Sequence, residues 1–305
     1  MSTSNDFTEA NVPQQTGKAF IVTGANAGVG FEIARVLAAK GARVLLGCRE
    51  QARAQDAIAR IKRITPNADL VWLPLDLGDL DSVRTAAEIA AHEPRIDALI
   101  NNAGVMNPPL MRTKQGFELQ FGVNHLGVFA LTNLLLPKLA ETSGSRVVVT
   151  SSVAHLKAKI DWDDLNADTS YVKAKRYGAS KLANALFFFE LDRRLRAAKS
   201  PITAIGVHPG IAATSLGRHM GLAQLAGPIV GLVLNSADKG AWPALLAATG
   251  KVKPGGYYGP TGFCGVRGTA GEAERARHAE DPVLAKRLWE VSVAMTGVDS
   301  GLPPV

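Results

Sequence analysis

A tyrosine and a lysine stand four positions apart in Tyr177-Gly-Ala-Ser-Lys181. On a helix that spacing puts both side chains on one face, one turn apart. A free phenol titrates near ~10, too high for proton exchange at neutral pH. A unit charge at roughly 4 Å, with an effective dielectric of about 20, is worth about 4 kcal/mol, or about 3 pKa units before screening. The pair therefore predicts a phenol lowered toward the range in which it trades a proton with a carbonyl or alcohol oxygen. A second pair, Tyr171-Val-Lys-Ala-Lys175, has the same spacing, but its lysine lies in a basic run from Lys173 to Arg176. Spacing alone does not choose between the two tyrosines.

The elements that would position these groups follow from hydrophobic patterning. Short β-branched or aliphatic runs at 18–23, 42–47, 70–75, 97–101, 146–151, 202–207 and 256–258 read as strands. Longer amphipathic segments at 28–40, 50–64, 79–92, 116–139, 171–198 and 236–249 read as helices between them. Such alternation predicts an α/β fold: a single doubly wound (Rossmann) domain over 17–305, its mainly parallel seven-stranded sheet carrying helices on both faces. Residues 1–16 are polar and read as a mobile tail, and the glycine-rich stretch 255–271 reads as loop. A terminal helix is expected over 281–297, with Leu284, Leu288 and Val291 on one face.

Directly after the first strand comes Thr23-Gly24-Ala25-Asn26-Ala27-Gly28-Val29-Gly30. Glycines there allow a tight turn and let backbone N–H groups approach a pyrophosphate at a helix N-terminus. The expected dinucleotide contacts are Gly24, Asn26, Gly28, Val29 and Gly30. The second strand ends in Cys48-Arg49, where an NAD site would carry an acid for the ribose 2′-hydroxyl. Positive charge at Arg49 suits a 2′-phosphate instead, so NADP (NADPH) is favoured and NAD stays open.

With Asn101-Asn102-Ala103-Gly104 after the fourth strand, Ser151-Ser152 after the fifth and Tyr177-x-x-x-Lys181 beyond, the chain resembles the short-chain dehydrogenase/reductase family over about residues 17–260. Asp76-Leu77, Val123-Asn124-His125 and His208-Pro209-Gly210 also match. The resemblance implies a catalytic set of Asn124, Ser152, Tyr177 and Lys181, in which Ser152 holds the substrate oxygen and Asn124 supports a proton relay to Lys181. It implies that Asp76 and Leu77 flank the adenine and that Asn102, Ala103 and Gly104 run along the cofactor. Tyr177 and Lys181 would meet its nicotinamide ribose, and Pro209, Gly210, Ile211 and Thr214 would shape the nicotinamide end. Ser152 is preferred over Ser151 because it is the later of the pair, and the two alternate across the strand. Tyr177 is preferred because Ser180-Lys181-Leu182-Ala183-Asn184 continues the family pattern. An insertion, Asp161-Trp162-Asp163-Asp164-Leu165-Asn166, separates Ser152 from Tyr177 and resembles the retinol-dehydrogenase-like branch, as do Cys48-Arg49 and Leu288-Trp289-Glu290-Val291.

The implied activity is interconversion of a carbonyl and an alcohol on a hydrophobic small molecule. A protochlorophyllide-type reductase shares the long insertion, but no cysteine lies between residues 49 and 263 to serve as the thiol near its pigment. A catalytically silent nucleotide-sensing regulator is the alternative outside enzymes. Histidines 125 and 155 raise hydrolase chemistry, yet no nucleophile elbow surrounds Ser152; His155 reads as a cleft or surface residue touching substrate. The net charge of +7 is scattered through helices, which excludes a nucleic-acid reading. Two unconnected cysteines, Cys48 and Cys264, argue against a disulfide framework or metal site, and with no apolar leader they fit a reducing, cytoplasmic setting. The apolar stretch 222–234 contains Pro228 and is too short to cross a bilayer. Residues 211–236, glycine-rich and apolar, are expected to form a lid over the substrate. A homo-oligomer is compatible with this picture.

Overall fold

The alternation of strand and helix patterns folds into three layers, and the computed structural model describes residues 6–210, 235–262 and 265–305. Eight strands make one sheet: β1 (Ala19–Thr23), β2 (Arg43–Cys48), β3 (Asp69–Pro74), β4 (Ala98–Asn101), β5 (Arg146–Thr150), β6 (Thr203–Val207), β7 (Tyr257–Gly262) and β8 (Arg267–Glu272). They lie in the order β3-β2-β1-β4-β5-β6-β7-β8, all neighbours parallel except β7 and β8. Strand order reverses between β1 and β4, and connections leaving their C-terminal ends diverge there. The resulting crevice is where an open α/β sheet takes a ligand.

The helices among the described residues are α1 (Gly28–Ala39), α2 (Gln51–Ile64), α3 (Leu80–Ala91), α4 (Leu119–Ala140), α5 (Lys173–Ala197), α6 (Ala237–Thr249) and α7 (Pro282–Thr296). Side chains alternate across each strand, so Ile21 and Leu45 pack on one face with α3, α4, α5 and α7. Phe20, Val22, Val44 and Leu46 pack on the other with α1, α2 and α6. By length and composition α4 could cross a membrane, but 83% of its most apolar window is buried; its apolarity serves the core. The joint between α5 and α7 includes a buried carboxylate: Glu190 pairs with Arg193 at 2.6 Å and Arg194 at 2.8 Å, and Arg194 lies over the Trp289 ring at 4.3 Å.

Two sequence expectations need correction. The sheet has eight strands rather than seven, because Arg267–Glu272, largely within the stretch read as loop, forms β8 antiparallel to β7. Glycine serves close approach there: a Cβ on Gly259 would lie 2.0 Å from His208 Nε2. Residues 6–16, read as part of a mobile tail, lie against the body. Phe7 pairs with Ala270, Arg35 holds Glu9 at 2.6 Å, and Val12 and Gln15 are buried.

Candidate active site

The turn from β1 into α1 is built for close backbone approach. Gly24 adopts φ +69°, a left-handed conformation that side chains disfavour. A Cβ on Gly30 would stand 2.4 Å from the Gly24 carbonyl oxygen and 2.5 Å from Asn102 Nδ2. Ala27, which precedes α1, supplies no side-chain cap, so the first-turn N–H groups beside Asn26, Gly28 and Val29 have no side-chain capping acceptor. Thr23 joins this turn to β4: its Oγ1 accepts N–H bonds from Asn102 at 3.0 Å and Ala103 at 2.9 Å, and Asn102 Nδ2 donates to the Thr23 carbonyl at 2.9 Å. The sequence reading missed Thr23. A hydroxyl residue closing a strand at the switch point was the available signal.

Next along the sheet edge, Arg49 follows β2, exposed and with no ion pair among the described residues, while the neighbouring Glu50 is engaged by Arg53 at 2.8 Å. Burial pushes the Cys48 thiol up to about 11, so it is neutral and inert at physiological pH. Asp76 follows β3, with its Oδ1 accepting the Gly78 N–H at 2.8 Å; Leu77 beside it is buried against Gly127.

The chemistry-bearing residues meet where β4, β5, α4 and α5 converge. Lys181 is 3% exposed and donates from Nζ to the Thr150 carbonyl at 3.2 Å, its single protein acceptor among the described residues. A Cβ on Gly104 would come within 3.4 Å of that Nζ and 3.0 Å of Asn124 Oδ1, so glycine leaves this wall open. Asn124 sits in a π turn, Gly122–Leu126, within α4. Its Oδ1 accepts the Val105 N–H at 2.7 Å, and its Nδ2 donates to the Val105 carbonyl and to Ser180 Oγ, both at 2.9 Å. The amide thus pins the strand exit of β4 to α4 and α5, and a π turn widens the helix where that happens. Ser180 and Thr150 are further partners that periodicity could not reveal.

The two serines separate as strand alternation requires. Ser151 Oγ donates to the Lys181 carbonyl at 2.7 Å and points into the fold, whereas the Ser152 hydroxyl acts on the Tyr177 phenol. Tyr171 faces elsewhere, donating to the Pro108 carbonyl at 2.8 Å and accepting from Gln120 Nε2 at 3.2 Å. The geometry therefore brings Tyr177, not Tyr171, to Ser152 and Lys181.

Electrostatics correct one expectation. The Tyr177 phenol is raised above its ordinary value by burial, with the Ser152 hydroxyl pulling the other way. Lys181 Nζ lies 5.9 Å from the Tyr177 ring centroid and is directed at Thr150. Burial lowers the lysine itself to about 8. In the protein alone, desolvation of the phenolate outweighs the help of the Ser152 hydroxyl.

His155 also departs from its reading as a cleft residue. It is 1% exposed, with Nδ1 2.6 Å from the Ser152 carbonyl and Nε2 accepting the Ala276 N–H at 3.3 Å. His125 is equally buried against Phe121, Phe129 and Phe187, meets Ser292 Oγ at 2.8 Å, and is pushed down to about 3.

The insertion before α5 is organised by Asp164. Its carboxylate accepts from the N–H groups of Asp168, Thr169 and Ser170 and from Thr169 Oγ1, and it pairs with Arg176 at 2.6 Å. Arg112 bonds the Asn166 carbonyl and pairs with Asp168, which ties the insertion to the loop after β4. After β6, Pro209 accepts from Asn235 Nδ2 at 3.3 Å and Gly210 takes φ +74°. Ile211, Thr214 and nearly all of the expected lid over 211–236 lie outside the described residues.

A family model described as short chain dehydrogenase matches residues 18–224. Retinol dehydrogenase 13 of Homo sapiens is 42% identical over 302 residues, covering 96% of this chain and 87% of that protein. Among solved structures, an uncharacterized protein from Mycobacterium paratuberculosis matches with a TM-score of 0.82 at 38% identity, over 98% of this chain and 100% of that one. A short chain dehydrogenase from Burkholderia cenocepacia in complex with NADP has a TM-score of 0.63 at 25% identity, over 79% and 95% of the two chains.

Proposed function

The chain belongs to the short-chain dehydrogenase family of oxidoreductases, in its retinol-dehydrogenase-like branch, and from that premise we propose that it interconverts an apolar carbonyl and its alcohol with NADP(H). The observation that carries the proposal is the convergence of Tyr177, Ser152 and the buried Lys181 ammonium beside Gly104 at the switch-point crevice.

The residues present fit a dinucleotide. Uncapped N–H groups at the start of α1 suit a pyrophosphate, and the cradle at Gly24 and Gly30 would be filled by any Cβ. Arg49, exposed at the end of β2 and without an ion pair among the described residues, would meet a 2′-phosphate, and the Burkholderia cenocepacia relative has NADP in its structure. Asp76, Leu77, Asn102 and Ala103 would continue the site, with Pro209 and Gly210 at its far end. Lys181, with two of its three N–H donors uncommitted among the described residues, would hold ribose hydroxyls. When bound, the cofactor supplies or takes the hydride.

The chain's own groups handle the oxygen. Ser152 donates a hydrogen bond to the substrate oxygen and orients it toward Tyr177. In reduction Tyr177 gives that oxygen its proton, and in oxidation it takes the proton back. A phenol raised by burial suits the acid role, and Lys181 offsets negative charge that develops on the tyrosine oxygen. Asn124 fixes the wall between β4 and α5 and so keeps Lys181 and Tyr177 in register. Leu110 and Met111, 46% and 51% exposed on the loop after β4, present apolar surface suited to a hydrophobic substrate.

Purified protein assayed with NADPH and NADH against a panel of apolar aldehydes, ketones and alcohols tests this reading through the absorbance of the reduced cofactor. Turnover with a preference for NADPH is expected. Tight NADPH binding with no turnover across the panel would instead support the silent nucleotide-sensing alternative.

A further inference from the structure

A buried histidine lies beside the site and takes no part in the chemistry above. The carbonyl of Ser152 only accepts, so His155 Nδ1, 2.6 Å away, carries the proton of that bond. Nε2 is then the acceptor for the Ala276 N–H, and the two contacts fix one neutral tautomer. The ring meets Tyr257 of β7 edge-on, with centroids 5.4 Å apart, and Tyr257 in turn stacks on Phe188 and His208. Ser152 stands where β5 breaks into the 3-10 turn Val153–Lys157, a place where strand pairing no longer holds the backbone. Its carbonyl also accepts the His155 N–H at 3.0 Å, and its Oγ accepts the Ala154 N–H at 3.2 Å.

We propose that His155 is a positioning residue: by donating from Nδ1 to the Ser152 carbonyl, while anchored through Nε2 to Ala276, it fixes the backbone from which the Ser152 hydroxyl reaches Tyr177 and the substrate oxygen. This inference rests on the oxidoreductase reading above. The β7–β8 hairpin and the segment after it thereby hold a group at the end of β5, although Ala276 is 121 residues from His155.

Three variants divide the ring's two contacts. His155→Asn can place its Nδ2 where Nδ1 stands, His155→Gln can reach only the Ala276 side, and His155→Leu loses both. Measured by kcat, KM and NADPH affinity, His155→Gln and His155→Leu are expected to lose about 10–100-fold in kcat with KM and cofactor affinity nearly kept, the scale of a ~1 Å misplacement. His155→Asn is expected to recover most of that loss. An Asn variant as poor as Leu, with Gln active, would overturn the proposal, as would equal kcat loss in all three accompanied by equal loss of cofactor affinity. A second readout needs no turnover: the Tyr177 phenol titration, taken as the absorbance difference from a matched Tyr177→Phe protein. Releasing Ser152 should move that titration upward in His155→Gln and leave it in place in His155→Asn. If the unmodified protein reduces no carbonyl, the functional reading fails and the titration decides this one; an unmoved phenol in His155→Gln overturns it.

Discussion

Lys181 should destabilise the folded protein, and by an amount that depends on pH in a known direction. Its ammonium is 3% exposed, and burial lowers it from 10.5 to about 8. A lysine lowered on folding binds fewer protons in the folded than in the unfolded state between those two values. Stability contributed by this group therefore rises with pH across that window: the penalty is fully present below about pH 8 and gone above the unfolded value of 10.5. A shift of about 2.5 units corresponds to about 3 kcal/mol at pH 7, shrinking to about 1 kcal/mol by pH 9.5. Lys181→Met keeps the stem and removes the charge. The Thr150 carbonyl keeps a partner, because Asn184 Nδ2 donates to it at 3.0 Å. Guanidinium unfolding of the cofactor-free protein and the variant, at several pH values from about 7 to 9.5, isolates the lysine because the other groups cancel in the difference. The variant is expected to be the more stable at pH 7, with an advantage that narrows as pH rises. A difference that stays constant across the range would refute the reasoning, since it would mean the ammonium carries no burial penalty. Retaining such a group fits a residue kept for chemistry rather than for stability.

Further outcomes follow from the same geometry. Gly30→Ala places a Cβ 2.4 Å from the Gly24 carbonyl, so it should cost about 1–3 kcal/mol of stability and weaken NADPH in a fluorescence titration. Thr23→Val leaves the Asn102 and Ala103 N–H groups without their acceptor; a loss of about 1–3 kcal/mol in denaturant unfolding is expected, with weaker cofactor binding beside it. Arg49→Ala should weaken NADP by about 1.5–3 kcal/mol and leave NAD nearly untouched. Unchanged selectivity between the two in calorimetric titrations would remove Arg49 from the 2′-phosphate.

Sequence patterning located the strands and helices of the nucleotide half within a residue or two, because amphipathic periodicity and the glycines at 24, 28 and 30 are local signals. Strand alternation told that Ser151 and Ser152 face opposite ways, but the preference for the later serine came from the family resemblance. What stayed hidden depends on contacts distant in sequence. Nothing near Asn124 announces that its amide meets Val105 and Ser180 through a π turn, nor does Thr23 advertise its two bonds to the end of β4. Glycines in 255–271 read as loop because their use, room for the His208 ring, appears only once β7 packs on β6. Spacing placed Tyr177 near Lys181 but not the direction of its titration, which burial decides. His155 looked like a cleft residue since its partner Ala276 arrives from the far end of the chain.

In the proposed reaction Tyr177 is the group that moves the proton. Tyr177→Phe deletes one hydroxyl and leaves the ring that packs beside Lys181, while Tyr171→Phe deletes the competing hydroxyl, which is held by Pro108 and Gln120. Single-turnover carbonyl reduction by both variants, with NADPH affinity measured in parallel, is the most direct test. Tyr177→Phe is expected to abolish reduction while binding NADPH nearly as the parent does, and Tyr171→Phe to reduce substrate at close to the parent rate. Reduction that persists in Tyr177→Phe, or that is lost in Tyr171→Phe instead, would contradict that role for Tyr177.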